Sequence, residues 1–244
     1  MLPPLPGARV INGRHYKYYD LVMAGFVTVL LCSNLIGPGK TCELALLGTA
    51  FTFSAGNLFF PISYIFGDVL TEVYGFARTR KVIWAGFGAM VFATFMANVV
   101  IAIPAKGDEP YNAVLQPALE TVFGSTWRIV IGSMAAFWVG DFVNSYVLAK
   151  MKVITEGRAL WARTIGSTIF GQAIDSALFY PIAFAGIWET GTLVQAMAFN
   201  WLFKVSLEVV MTPVTYLVVG ALKKAESEDY YDRDTQFTPF SLQD

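Results

Sequence analysis

Six long apolar runs, each nearly free of charge, dominate the 244-residue sequence and decide what it can fold into. They cover 18–36, 44–67, 82–104, 129–149, 164–187 and 193–222. A bilayer core of about 30 Å takes about 20 apolar residues per helix, so each run is long enough to cross. A helix is the open-chain structure that satisfies its own backbone groups in lipid. Only short connections remain between the runs, which excludes a sizeable extramembrane domain. Charged residues make up 14% of the chain, where a soluble domain carries about 25%. The expected fold is therefore an all-α integral membrane protein. Six transmembrane helices form a single domain over 1–225, followed by a short acidic tail over 226–244.

Thirteen of the seventeen Lys and Arg fall on one side of this arrangement. They are Arg9, Arg14 and Lys17 before the first span, Arg78, Arg80 and Lys81 in the second connection, Lys150, Lys152, Arg158 and Arg163 in the fourth, and Lys223, Lys224 and Arg233 in the tail. Basic residues stay in the cytoplasm, so an even number of spans puts both termini there. The tail, from Glu226 on, reads as a solvated extension. The first span is no cleavable signal, because Asp20 opens it and Cys32-Ser33-Asn34-Leu35 is not a small-residue cleavage site. Two cysteines, Cys32 and Cys42, are too few for a disulfide framework or a zinc site, and no metal or cofactor is expected. A net charge of −1 offers no basic face to nucleic acid.

Ionisable groups inside a span cost a few kcal/mol each and so call for a reason. Asp141 in span four, Asp175 in span five and Lys204 in span six fall at similar central depths at about 1.5 Å per residue. Asn200, Lys204 and Glu208 recur every four residues and form one helical stripe. Asp141, Asn144 and Ser145 share a face of span four, and Gln172, Asp175 and Ser176 share a face of span five. One reading is that Asp141 or Asp175 only neutralises Lys204, with Lys204 and Glu208 pairing along their own helix. The other is a hydrated cavity for a polar ligand, since one lysine cannot neutralise three carboxylates. In span two, Gly56, Asn57 and Pro61 lie mid-membrane. Proline removes a backbone hydrogen bond, so the second helix is expected to kink or break near Pro61, and such breaks mark transporter binding sites. Asp68 and Glu72, four residues apart, either bind or gate a ligand or pair with Arg78, Arg80 or Lys81.

Catalysis finds little support. The only histidine, His15, lies outside every span, so no Ser-His dyad exists in the membrane. There is no Gly-x-Ser-x-Gly elbow and no P-loop. Ile65-Phe66-Gly67-Asp68 lacks the first glycine of a Gly-x-Gly-Asp protease motif. The chain is expected not to be an enzyme.

Several stretches carry a family resemblance. Asn57-Leu58-Phe59-Phe60-Pro61-Ile62-Ser63-Tyr64-Ile65-Phe66-Gly67-Asp68-Val69-Leu70-Thr71-Glu72-Val73-Tyr74-Gly75-Phe76-Ala77-Arg78, then Asp141-Phe142-Val143-Asn144-Ser145, Gly171-Gln172-Ala173-Ile174-Asp175-Ser176 and Phe237-Thr238-Pro239-Phe240 resemble the queuosine precursor transporter family of bacterial inner membranes. The resemblance implies six helices and import of 7-cyano-7-deazaguanine and its 7-aminomethyl relative for salvage into tRNA queuosine. It supplies no map of the binding site.

The ligand's chemistry sets the expectation instead. A deazaguanine offers adjacent N–H donors that a carboxylate accepts as a pair. Asp141 or Asp175 is expected to hold that edge. Asn57, Asn144, Gln172 and Asn200 belong to the same expected site, with Asn144, Gln172 and Asn200 reading the remaining polar atoms, and Lys204 with Glu208 sets the charge of the cavity. Phe60, Trp138, Phe170 and Tyr180 are the aromatic candidates for the flat ring. The expected partners are this small molecule and the bilayer. A homodimer is open to the small-residue surfaces of Gly86, Gly88 and Ala93 and of Gly132, Ala135 and Ala136. The competing reading, a substrate-binding subunit of an energy-coupling-factor vitamin transporter, wants an Ala-x-x-x-Ala docking face on the first helix. Here Thr28 stands where the second alanine would be.

Overall fold

The computed structural model describes residues 16–35, 41–46, 49–55, 59–124 and 127–241. Its helices are α1 (Tyr19–Leu35), α2 (Phe60–Val69), α3 (Phe76–Ala102), α4 (Asn112–Phe123), α5 (Trp127–Ile154), α6 (Leu160–Phe184) and α7 (Thr190–Glu226). A π-helical segment, Leu70–Tyr74, continues α2. An antiparallel hairpin pairs β1 (Thr41–Leu46) with β2 (Thr49–Ser54), running from Thr41 opposite Ser54 to Leu46 opposite Thr49.

The helical expectation holds for five of the six runs and is corrected in the second. Its first part pairs as the hairpin, in keeping with the β-branched and aromatic residues Thr49, Phe51, Thr52 and Phe53. Pro61 neither kinks nor breaks a helix. It stands in the first turn of α2, where an amide has no intrahelical partner to lose. The irregularity comes later, in the π-helical turn, whose wider winding shifts the phase of the residues after it. Helix α4 lies in the connection between the third and fourth runs.

One end of the bundle collects six chain ends. The Tyr19 hydroxyl donates to the Arg78 carbonyl at 3.1 Å, joining the starts of α1 and α3. Glu226, closing α7, accepts the Lys17 and Tyr18 amides at 2.8 and 2.7 Å and the Tyr74 hydroxyl at 2.8 Å. Its charge faces the positive end of the α1 dipole. Glu72 ties in the end of α5 and the start of α6 through Lys152 and Arg163. The chain therefore leaves this end in α1, α3 and α6 and returns in α2, α5 and α7. Among the described residues, α3 and α7 are long and apolar enough to cross a membrane singly, and α4 with Arg128–Ile154 passes as a bent pair. Helix α1 is apolar but shorter.

A cluster at this end packs Phe26 and Leu30 of α1 on Leu70, Val73 and Tyr74 of the π-helical segment, Val82 and Met90 of α3, and Val219 of α7. Helices α5 and α6 approach closely where Gly140 meets Gly171. A Cβ at Gly171 would lie 2.8 Å from the Asn144 Cβ and 3.0 Å from the Gly140 carbonyl oxygen. Small residues of this kind let membrane helices bring their backbones together.

The tail is docked along the bundle and is not a solvated extension. It turns at Ser227, with φ 51°, then folds back. The Lys152 ammonium donates to the Tyr230 carbonyl at 2.7 Å, and Asp232, buried, accepts the Phe76 amide at 3.1 Å. Arg80 donates to the Gln236 and Thr238 carbonyls, both at 2.8 Å, and the Trp84 indole to the Pro239 carbonyl at 2.8 Å. Phe237 packs on Phe76 and Tyr146 at ring separations of 5.0 and 5.2 Å. Gly75 makes this possible. It holds φ 85° between the π-helical segment and α3, and a Cβ there would collide with the Tyr230 ring.

Candidate functional site

The Gly140–Gly171 crossing brings the polar faces of α5 and α6 together. A Cβ on Gly140 would meet the Asp175 Cβ at 3.2 Å, and one on Gly171 would meet Asn144, so Asp141 and Asn144 lie across from Gln172 and Asp175. Asn144 and Gln172 are buried. The Asn144 Oδ1 and Gln172 Oε1 acceptors, with the Thr168 hydroxyl one turn from Gln172, receive no hydrogen bond among the described residues. Acceptors left this way cost free energy until a donor arrives. Asp141 is near enough to Asp175 and Lys204 to feel both charges.

Helix α7 completes this part. The Lys204 ammonium meets Asp175 at 2.7 Å, and the Asn200 amide donates to the Ser176 hydroxyl at 3.2 Å. Of the two expected neutralisers of Lys204, the structure selects Asp175. Lys204 is not paired along its own helix with Glu208, as the four-residue spacing allowed, because Glu208 faces α2 instead.

There the Asp68 and Glu208 carboxyls stand within hydrogen-bonding reach of one another. Asp68 is 1% exposed and Glu208 0%. None of their four oxygens accepts a bond from a donor group among the described residues. Asp68 also lies near Glu72 and Asp141. The expected pairing of Asp68 with Arg78, Arg80 or Lys81 is absent from the ion pairs among the described residues.

Glu72, one turn further on, has the opposite surroundings. Its Oε1 meets Lys223 at 2.6 Å, Arg163 at 2.8 Å and Lys152 at 3.6 Å, and the residue is 0% exposed. Lys152 spends its three N–H groups on the Glu72 carbonyl at 2.6 Å, Asp229 at 2.6 Å and the Tyr230 carbonyl. Burial works to raise the Asp229 carboxyl, but Lys152 and Lys223 outweigh it and hold it below the usual range. Glu72 is thus enclosed by cations from α5, α6 and α7, which corrects its expected pairing with Arg78, Arg80 or Lys81.

The polar residues that converge from different helices are Asp68, Asp141, Asn144, Gln172, Asp175, Asn200, Lys204 and Glu208, while Glu72 belongs to the ionic hub below them. Asn57 and the Phe60 side chain lie outside the described residues. Phe170 is 57% exposed on the outer surface of α6 and does not reach the polar layer. Trp138 packs against Phe142 and Phe240, and Tyr180 against Phe179. Thr168 was missed, although its place four residues before Gln172 extends the polar stripe of α6.

A family model described as "Putative vitamin uptake transporter" matches residues 54–218. The chain is 34% identical over 197 residues to a Bacillus subtilis (strain 168) protein named "Probable queuosine precursor transporter", covering 80% of this chain and 81% of the relative. It is 24% identical over 172 residues to the "Queuosine precursor transporter" of Escherichia coli (strain K12), covering 70% and 71%. No solved structure matches the chain.

Proposed function

The chain belongs to the queuosine precursor transporter family, and from that premise we propose that it imports 7-deazaguanine precursors of queuosine across the bacterial inner membrane. The substrates are 7-cyano-7-deazaguanine and its 7-aminomethyl relative, carried without chemical change for salvage into tRNA. Six passes of the bundle cross the bilayer, and both termini face the cytoplasm. The six chain ends gathered with the basic residues at one end support this orientation.

The observation that carries the reading is a set of buried acceptors without donors between α5 and α6. Asn144 Oδ1 and Gln172 Oε1 lack donors among the described residues, and the Asp141 carboxylate lies beside them. A deazaguanine brings what they lack: the lactam N–H, the 2-amino group and the pyrrole N–H. Asp141 takes the paired donors of the guanine-like edge. The Asp175–Lys204 pair holds an ammonium at the layer, and Asn200 supplies a further amide. Of the two carboxylates expected at that edge, Asp141 is preferred, because Asp175 is committed to Lys204. A site built from such groups rejects analogues that leave them unpaired.

Uptake of labelled 7-cyano-7-deazaguanine, in cells unable to synthesise it, tests the assignment. Asp141→Asn and Gln172→Leu are each expected to reduce uptake at least tenfold at equal protein level. Unchanged uptake in both would overturn it. The competing vitamin-transporter subunit needs a small-residue face open on the first helix. The Gly25 part of that face is already closed by the Phe66 ring, 2.7 Å from where a Cβ would stand.

A further inference from the structure

We propose that Asp68 and Glu208 form a proton-carrying carboxyl pair that couples movement of the substrate to an inward proton gradient. The inference rests on the transport reading but uses neither of the residues offered there as the test of substrate binding.

Two observations carry it independently. First, carboxyls on two elements that pack together, α2 and α7, are buried near one another in the interior. Second, all four of their oxygens lack a donor among the described residues, at 1% and 0% exposure. Two carboxylate oxygens repel; they hydrogen-bond only when one of the groups holds a proton. Isolated buried charge is costly enough that such a pair shares a proton in preference to carrying two charges.

The groups facing the pair do not remove this requirement. Glu72, on the π-helical segment, is already matched by Lys152, Arg163 and Lys223. Asp141, on α5, adds negative charge. Lys204, one turn away on α7, is engaged with Asp175. Among the described residues no group of three or more His, Cys, Asp or Glu is placed to hold a metal ion.

The cycle balances simply. One O–H bond forms when the pair takes a proton from the outer side, and the same bond breaks when the proton leaves to the cytoplasm. No other bond changes and no redox partner is needed. Carboxyls that join two packed elements and lie next to the proposed substrate layer are well placed to make proton loss conditional on the conformation that releases substrate.

Purified protein in liposomes tests this with labelled 7-cyano-7-deazaguanine. With the outside acid, uptake by the wild type is expected to exceed that at equal pH at least fivefold, and substrate addition to acidify the lumen. Asp68→Asn and Glu208→Gln are each expected to bring the ratio of uptake with and without the gradient to about one. Infrared spectroscopy of the purified protein reads the pair without transport: the band of a hydrogen-bonded, protonated carboxyl is expected in the wild type, shifted in each single variant and absent when Asp68→Asn and Glu208→Gln are combined. Uptake by the wild type that ignores the proton gradient, or follows a sodium gradient instead, would overturn the coupling and leave the transport reading intact. An infrared band that persists unchanged when both substitutions are combined would overturn the assignment to these residues. No uptake under any gradient would overturn the transport reading, and the coupling with it.

Discussion

Glu72 and Asp68 are one helical turn apart on a continuous stretch of chain, and their surroundings are opposites. Glu72 receives Lys152, Arg163 and Lys223 from three helices. Asp68 meets another carboxyl and no cation among the ion pairs described. The first arrangement joins elements that would otherwise separate. The second is held in place by its surroundings at a cost. Charge at the end of this bundle is therefore matched for cohesion, while charge a turn deeper is left unmatched where a ligand or proton can complete it.

The largest test of the contrast is Glu72→Ala. It takes from the buried Arg163 the carboxylate that faces it, while Lys152 and Lys223 keep Asp229, and is expected to lower unfolding free energy by about 3–5 kcal/mol, the cost of breaking a buried pair from one side. Thermal unfolding in detergent against the wild type measures it. Next comes Gly171→Ala, whose methyl must push α5 off α6 at Asn144. Overpacking of this kind costs about 1–3 kcal/mol, and uptake is expected to fall with it, because the acceptors of α5 and α6 lose their alignment. Asp68→Asn is expected to change unfolding free energy by less than about 1 kcal/mol, within the range of a single net hydrogen bond, since it leaves no cation stranded. A destabilisation as large as that of Glu72→Ala would erase the distinction between the two residues.

The smallest effect concerns acid. Asp229 is held below its ordinary range by Lys152 and Lys223, against the effect of burial. A depressed carboxyl stabilises the folded state above its unfolded pKa of about 3.9, and that contribution is lost as pH falls through the lower folded value. Protection of the amides at 229–233 against hydrogen exchange, taken relative to the unfolded chain at the same pH, is therefore expected to be constant above about pH 5 and to fall only below about pH 4. Loss of protection that began near neutrality would break the link between this carboxylate and the docked tail.

Much of the helical framework was legible because apolar run length is a direct consequence of bilayer thickness. Runs one, three, four, five and six became α1, α3, α5, α6 and α7 with small changes at their ends. The polar stripes of α5, α6 and α7 were legible because four-residue spacing fixes a helical face without reference to anything else. What failed depended on partners far away in sequence. Glu72 finds its cations 80, 91 and 151 residues along the chain, not in the nearby Arg78, Arg80 and Lys81. The hairpin at 41–54 reads as apolar as a span, and only its pairing reveals it. Pro61 was correctly seen as incompatible with a helix interior, yet the helix begins where the proline is harmless.

The tail has a consequence for how the chain tolerates change. Arg80, Trp84 and Lys152 grip it by the peptide oxygens of Gln236, Thr238, Pro239 and Tyr230, an atom that every amino acid supplies. Most positions along this strap can therefore drift to other residues without losing their grip. The three donors cannot, because each reaches a fixed oxygen from a fixed helix. Evolution is consequently expected to record the strap's docking less in the strap than in the groove that receives it.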